Sequence, residues 1–264
     1  MTRGIMKRVL TIAGSDSGGG AGIEADLKTI SALGGYGCTA ITAVTAQNTL
    51  GVAGVHTLPA AFVALAIKTV LDDIGVDAIK LGMLANEAII RAVAAALPSG
   101  IPLVLDPVMV ATSGAVLLED GAIDAMRQLL LPRATLVTPN LPETRKLTGL
   151  AVETEAERIA AGRALIAMGA RAALVKGGHG GETILTDYLI TADSMEAISL
   201  PRIDTRNTHG TGCTMASAIA TGLAQGMSLP DAVRRARHYL QEAIRTAPGF
   251  GTGHGPVNHL AQTA

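Results

Sequence analysis

"RVLTIAGSDSGGGAGIEADLKTISALGG", residues 8 to 35, decides how the rest of the chain is read. "RVLTIAG" is a short apolar run that reads as a buried strand. A polar, glycine-rich loop follows. "AGIEADLKTISALGG" then has helical spacing and stops at Gly34 and Gly35. Strand, loop and helix in that order open a βαβ unit, and the order recurs downstream. "CTAITAVTAQNT" reads as a strand, and "PAAFVALAIKTVLDDIG" as a helix with Pro59 at its start and Gly75 at its end. "AIKLGM", "PLVLDPV", "ATLVTPN" and "AALVKGG" are further strands. "NEAIIRAVAAALPSG", "LEDGAIDAMRQLLLP" and "ETEAERIAAGRALIAMG" are further helices, the last opened by Thr154 with Glu157 as a capping box. "ETILTDYLI" and "SMEAISLPRI" read as adjacent antiparallel strands, and two helices close the chain at about 211–226 and 229–246. Such alternation predicts an α/β fold, a mainly parallel sheet covered by helices on both faces. With no repeat and no linker, residues 1–264 read as a single domain.

Composition narrows the function. The 264 residues are 48% hydrophobic and 16% charged, enough for a large core. A net charge of −1, two Phe, three Tyr and no Trp argue against nucleic acid and an acidic membrane surface as partners. Cys38 and Cys213 match no zinc spacing and no disulfide scaffold, which points to a reducing cytoplasm. The start carries no signal-peptide pattern, and the longest apolar stretch, "LPAAFVALAI", is too short to cross a bilayer.

In a parallel sheet, ligands gather beyond the carboxyl ends of the strands. The loops there hold nearly all the unusual polar residues. Gly20-Ala21-Gly22-Ile23-Glu24-Ala25 matches the dinucleotide pattern G-x-G-x-x-A. After Asp26, however, the next acidic residue is Asp72, too far on to hold a ribose, so a dehydrogenase is disfavoured. Neither a P-loop nor a G-x-S-x-G elbow is present. In "NTHGTGCTMASAIATGLAQG", residues 207 to 226, Gly210, Thr211 and Gly212 allow a tight turn into a helix, whose free N–H groups form an anion site. Cys213 stands in that field, which favours a thiolate; a small buried residue is the plainer alternative. Asp106 ends a strand, and Asn140 and Glu143 follow another in "TPNLPE". Each alone could cap a loop; together with the anion turn they fit a magnesium–phosphate site. Lys176 leads into Gly177-Gly178, where a backbone can approach a phosphate or simply turn. His179 reads as a solvent histidine, and His209 is open between a phosphate role and none.

"TIAGSDSGGGAGIEADLKT", "ITAVTAQNT", "DPVMVATSG", "TPNLPE", "VKGGH" and "HGTGCTMASAIA" together resemble the hydroxymethylpyrimidine/phosphomethylpyrimidine kinases of thiamine biosynthesis, over about residues 8 to 246. The resemblance implies a ribokinase-like three-layer α/β/α sandwich with the active site along one sheet edge. It implies ATP and Mg²⁺, and phosphorylation of 4-amino-5-hydroxymethyl-2-methylpyrimidine to its monophosphate and then its diphosphate. Gly210, Thr211, Gly212 and Cys213 would form the catalytic anion hole, with Cys213 where sugar kinases carry an Asp base. Gly14, Asp26, Gln47, Met83 and Val110 would bind the pyrimidine, with Asp26 and Gln47 hydrogen-bonding its ring. Asn140, Lys176, Gly178 and Thr208 would bind nucleotide, and Asp106 and Glu143 would organise the metal. A homodimer is implied as well. The chain departs from the family at Ser17, where a proline-containing loop is common, and at His238, in a region where many relatives carry Lys near the nucleotide. Two rivals stand beside this assignment: a pyridoxal/pyridoxine kinase of the same superfamily, and a non-catalytic pyrimidine-binding sensor. The sensor is disfavoured by the retained Asp106, Asn140, Glu143, Gly210, Gly212 and Cys213.

Overall fold

In the computed structural model, which describes residues 6–111, 114–115, 117–119, 121–178 and 183–261, the opening strand lies inside the sheet. Strand β1 (Arg8–Asp16) pairs in parallel with β2 (Tyr36–Asn48) on one side and β4 (Ala78–Leu81) on the other. The remaining strands are β3 (Gly51–Thr57), β5 (Leu103–Leu105), β6 (Leu136–Val137), β7 (Ala172–Val175), β8 (Ile184–Thr191) and β9 (Met195–Pro201). All nine form one sheet, in the order β3-β2-β1-β4-β5-β6-β7-β8-β9. The β1–β2 and β4–β7 neighbours are parallel; β3 on one flank and β8 and β9 on the other are antiparallel. The chain grows outward from β1 through β2 and β3, then returns to the other edge of β1 as β4. That reversal leaves a crevice at the strand ends.

Successive strand residues face opposite sides of a sheet, and the two cores follow that rule. Leu10, Ile12, Ile79, Leu81, Leu103 and Leu105 join one apolar cluster with α2 (Ala60–Asp73), α3 (Glu87–Ala96) and α4 (Ala122–Ala125). Val9, Ala78, Val104, Leu136 and Leu174 join the other, with α1 (Gly22–Ala32), α7 (Thr211–Ala224) and α8 (Leu229–Arg245). The result is the three-layer sandwich expected. The capping box at Thr154 and Glu157 opens α6 (Glu155–Ala167) as the sequence predicts.

Three elements differ from the sequence reading. "GVAGVHT" forms β3, which carries two glycines and is mostly exposed, so it lacks the alternation that marks a half-buried strand. "LPETRKLT", which begins in the loop "TPNLPE" and carries no helix in the sequence reading, forms α5 (Leu141–Thr148), capped by Asn140 and ended by left-handed Gly149. "LEDGAIDAMRQLLLP" is not one α-helix: after α4 it widens into a π turn over Met126–Leu130 and tightens into a 3-10 turn over Leu131–Arg133, where Pro132 has no N–H to continue the ladder. Among the described residues no helix is long and apolar enough to cross a membrane.

The chain's last described segment seals the α1/α7/α8 layer. Val257 and Ala261 enter its core, and the Tyr239 hydroxyl donates to the His259 carbonyl at 2.6 Å. The His259 ring is buried with Nε2 unpartnered, and burial, aided by Lys28 and His209, pushes its pKa down from 6.5 to about 4. The unfolded chain therefore takes up a proton below pH 6.5 that the folded chain refuses until about pH 4. Stability should be lost as pH falls through that window, by on the order of 3 kcal/mol. Urea midpoints between pH 7 and pH 4 should fall less steeply for His259→Leu than for the wild type.

Candidate active site

A cavity of about 720 Å³ opens at the carboxyl ends of β1, β5, β6 and β7, where the loops rich in glycine converge. Its floor is the start of α7. Gly210 precedes that helix at φ +83°, and a Cβ there would lie 1.8 Å from the Gly20 carbonyl oxygen. Only glycine satisfies both the backbone angle and the contact. Gly210 provides no side-chain cap, so Thr211, Gly212 and Cys213 present an uncapped first turn to the cavity they line. Gly212 also lies against the acidic part of the wall, where a Cβ would meet Asp106 Oδ2 at 3.3 Å and Lys176 Nζ at 3.4 Å.

The loop after β1 is fastened to this turn. The Asp16 carboxylate accepts from the N–H groups of Gly18 at 2.8 Å, Gly20 at 3.0 Å and Ala21 at 2.8 Å. His209 Nε2 meets the same carboxylate at 2.8 Å. Burial pushes Asp16 up, but the bonds from His209, Ala21 and Gly18 prevail and hold it below the usual carboxylate range. Glu24 accepts from Ser15 Oγ and the Asp16 N–H, pinning the loop from below. His209 is therefore a buried strut between the two loops, and its Nε2 lies 3.3 Å from Gln47 Nε2.

Cys213 corrects the expectation of a thiolate. Burial pushes its thiol up to about 11; Lys80 and the Gly22 N–H work the other way, while Asp26 and Asp106 add to the rise. At pH 7 the thiol is then overwhelmingly protonated. The helix field is present and desolvation outweighs it.

The acidic wall gathers Asp106, Glu143 and Lys176. Asp106 Oδ1 accepts from Thr138 Oγ1 and from Lys176 Nζ, both at 3.1 Å. Burial disfavours the Lys176 ammonium, but Asp106 and Glu143 raise its pKa above the ordinary lysine value. Asn140 and Glu143 form a capping box on α5, with bonds of 2.9 and 2.8 Å. Burial pushes Glu143 up to about 7, against the attraction of Lys176. Among the described residues no three His, Cys, Asp or Glu side chains cluster to cage a metal. Two hard oxygen donors beside one ammonium instead suit a cation that arrives with waters and phosphate oxygens, as Mg²⁺ does.

Gly14, Gln47, Met83 and Val110 line the same cavity, as do Asn140, Lys176, Gly178 and Thr208. Gly14 occupies a bulge in the β1–β2 pairing, and a Cβ there would lie 2.8 Å from Met83 Sδ. Asp26 does not join them. It has no exposed surface, and its two oxygens accept from Thr11 at 2.5 Å, Lys80 at 2.9 and 2.8 Å, and Ser217 at 2.7 Å. A carboxylate so engaged inside the core is neither a ring ligand nor the exposed first-turn acid its position suggests.

Sequence reasoning missed Arg237 and Asp187. Both are buried, 3.0 Å apart, and line the cavity; Asp187 also accepts the Gly177 N–H at 2.8 Å. The signal was available: Arg237 falls on the inward stripe of α8 with Val233 and Leu240, whereas neighbouring His238 faces solvent. His179, and Gly180 and Gly181 beside it, lie outside the described residues.

With this geometry in view, the likeness to known proteins is extensive. The profile of the phosphomethylpyrimidine kinase family matches residues 16–258. The chain is 49% identical to a hydroxymethylpyrimidine/phosphomethylpyrimidine kinase of Streptomyces coelicolor, over 95% of this chain and 93% of that one. It is 51% identical to the thiamine biosynthesis bifunctional protein ThiED of Geobacter sulfurreducens, over 96% of this chain and 52% of that one, so it spans about half of that longer protein. An ADP complex of Bacillus subtilis pyridoxal kinase superposes with a TM-score of 0.90 at 35% identity, covering 97% of this chain and 98% of that one. A phosphomethylpyrimidine kinase of Clostridium difficile gives 0.80 at 38%, covering 90% and 99%. The chain belongs to the phosphomethylpyrimidine kinase family, on a ribokinase-like fold.

Proposed function

We propose that the chain uses ATP to phosphorylate 4-amino-5-hydroxymethyl-2-methylpyrimidine to its monophosphate, and the monophosphate to its diphosphate, in thiamine biosynthesis. One observation carries this reading: a single cavity is lined by the anion turn, by the Asp106–Lys176–Glu143 wall and by Gln47, Met83 and Val110. Gln47 can both donate to and accept from an aminopyrimidine edge, and Met83 and Val110 offer apolar contact to its ring. Lys176, Gly178, Asn140 and Thr208 are assigned to the nucleotide. Asp106 and Glu143 would hold Mg²⁺ through its waters. When bound, that ion neutralises charge on the phosphate oxygens. The N–H groups of the α7 turn then face the charge that develops on the transferred phosphoryl group, where fixed dipoles are most effective.

Cys213 is assigned the proton of the substrate hydroxyl. The thiol raised by burial must first release its own proton to solvent; the thiolate so formed is a stronger base than an ordinary cysteine's and can take the hydroxyl proton as the new O–P bond forms. Proton transfer late in a loose phosphoryl transfer suits such a group. A homodimer in the cytoplasm is part of the same reading. Exposed Val44 on β2, Leu50 in the turn after it and Val55 on β3, with Phe62 and Leu65 on α2, supply an apolar surface for the second copy.

The second reading is a pyridoxal kinase, favoured by the overlay on the Bacillus subtilis enzyme. Phosphorus NMR with MgATP and each vitamin precursor separates the two. Monophosphate followed by diphosphate of the pyrimidine is the expected result, and pyridoxal phosphate alone would overturn the assignment. Cys213→Ala should lower kcat by roughly 10²-fold with little change in KM for ATP, measured by coupled ADP release. An unchanged kcat would make the thiol mere packing.

A further inference from the structure

Lys80 and Asp26 have no part in the ligand contacts above, yet they are among the most costly groups in the molecule to bury. Both side chains are fully enclosed. Lys80 stands alone in the otherwise apolar strand β4, and Asp26 sits on the inward side of α1 beside Ala25. Lys80 Nζ reaches both Asp26 oxygens, at 2.9 and 2.8 Å. Asp26 also takes Thr11 Oγ1 from β1 and Ser217 Oγ from α7. One carboxylate thus ties together four elements, and α7 is the element whose first turn forms the cavity floor. Gly82 makes room for the ammonium, since a Cβ there would lie 2.8 Å from Lys80 Nζ.

We propose that Lys80 and Asp26 are a positioning pair for the anion turn, Asp26 tethering α7 through Ser217 and Lys80 placing a fixed positive charge beneath Cys213. The proposal rests on the family reading of the site and deepens it. Burying two ions costs several kcal/mol each, which makes an apolar pair the cheaper way to fill this space. The charge therefore calls for a use in the site above it. Burial disfavours the Lys80 ammonium, but Asp26, with Cys213 and Asp106 beyond it, raises its pKa, so it stays charged at any working pH. Cys213 lies one turn before Ser217 on α7, on the helix face that meets the Asp26–Lys80 pair, and it feels Lys80 of β4, Asp26 of α1 and Asp106 just beyond β5. Lys176 approaches the adjoining Gly212, and Arg237 of α8 is paired with Asp187. Of these charges, Lys80 exerts the largest influence on the thiol and acts in favour of its ionised form.

The test uses the full chain and reads Cys213 directly, by iodoacetamide alkylation followed by peptide mass spectrometry, which separates it from Cys38. Rates are taken from pH 7 to 10. Removing the positive charge in Lys80→Met should slow alkylation at pH 8.5 about tenfold, equal to about one pH unit. Removing the negative charge in Asp26→Asn should speed it about threefold. Lys80→Met/Asp26→Asn, which leaves no lone buried charge, should fall between wild type and Lys80→Met. The limb on which kcat rises with pH should move to higher pH in Lys80→Met and to lower pH in Asp26→Asn. Purely structural damage would expose the thiol and speed alkylation in every variant. Acceleration in both single variants, or an unchanged rate in a double variant that melts cooperatively, would overturn the proposal. If the single variants do not fold, the double variant decides alone. The alkylation rates are independent of turnover, so they stand even if Cys213→Ala keeps full kcat and removes the thiol from the mechanism.

Discussion

The approach of the α7 amino end to the strand ends is the constraint on which this molecule depends. Backbone N–H groups can meet a phosphate only if no side chain stands between, and the chain clears the space from both sides. Gly210 lies against the Gly20 carbonyl, Gly22 against the Gly14 carbonyl, and Gly212 against Asp106. A Cβ at Gly22 would fall 2.3 Å from the Gly14 oxygen, so the loop after β1 is as tightly fitted as the anion turn itself. Charge holds what the glycines leave open: Asp16 and His209 on the cavity side, Lys80 and Asp26 within the core.

Much of this was legible in the sequence. The strand–helix alternation has a physical period, and the structure repeats it from β1 to β7 apart from the added strand β3, the broken helix after α4 and the short helix α5. The cavity lining recovers the residues assigned to it, with Asp26 as the exception. Asp26 was misplaced because its role was carried over from a resemblance, while its spacing from Ile23 and Ile30 already put it on the buried stripe of α1. Lys80 carried a second warning, because a lone cation inside "AIKL" demands an internal partner. The state of the Cys213 thiol was not legible at all. A motif reveals the helix field and says nothing of how much water is excluded around the sulfur.

The distinction between pyrimidine and pyridoxal kinases is finer than the fold. The backbone overlays on a pyridoxal kinase at a TM-score of 0.90, while identity rises to 49% toward a pyrimidine kinase. A shared scaffold leaves any preference between the two rings to side chains of the cavity, among them the proposed ring contacts Gln47, Met83 and Val110. Gln47 is the polar member of that group, and its Oε1 accepts from Thr45 Oγ1 at 3.3 Å. That bond fixes the amide in place, and a side chain already fixed loses less entropy when it takes up a ligand.

The sheet has one covering layer built from the middle of the chain and another built largely from its end. α2, α3 and α4 follow closely on the strands they cover, whereas α7 and α8 come after β9, with Val257 and Ala261 later still. On a ribosome the sheet is therefore complete before most of its second cover has been made. Until residues beyond 245 emerge, Val104, Leu136 and Leu174 have no α8 to lie beneath. A nascent chain that has completed β9 but not yet α8 holds this apolar face without its cover, the condition under which partly made domains are prone to misassemble.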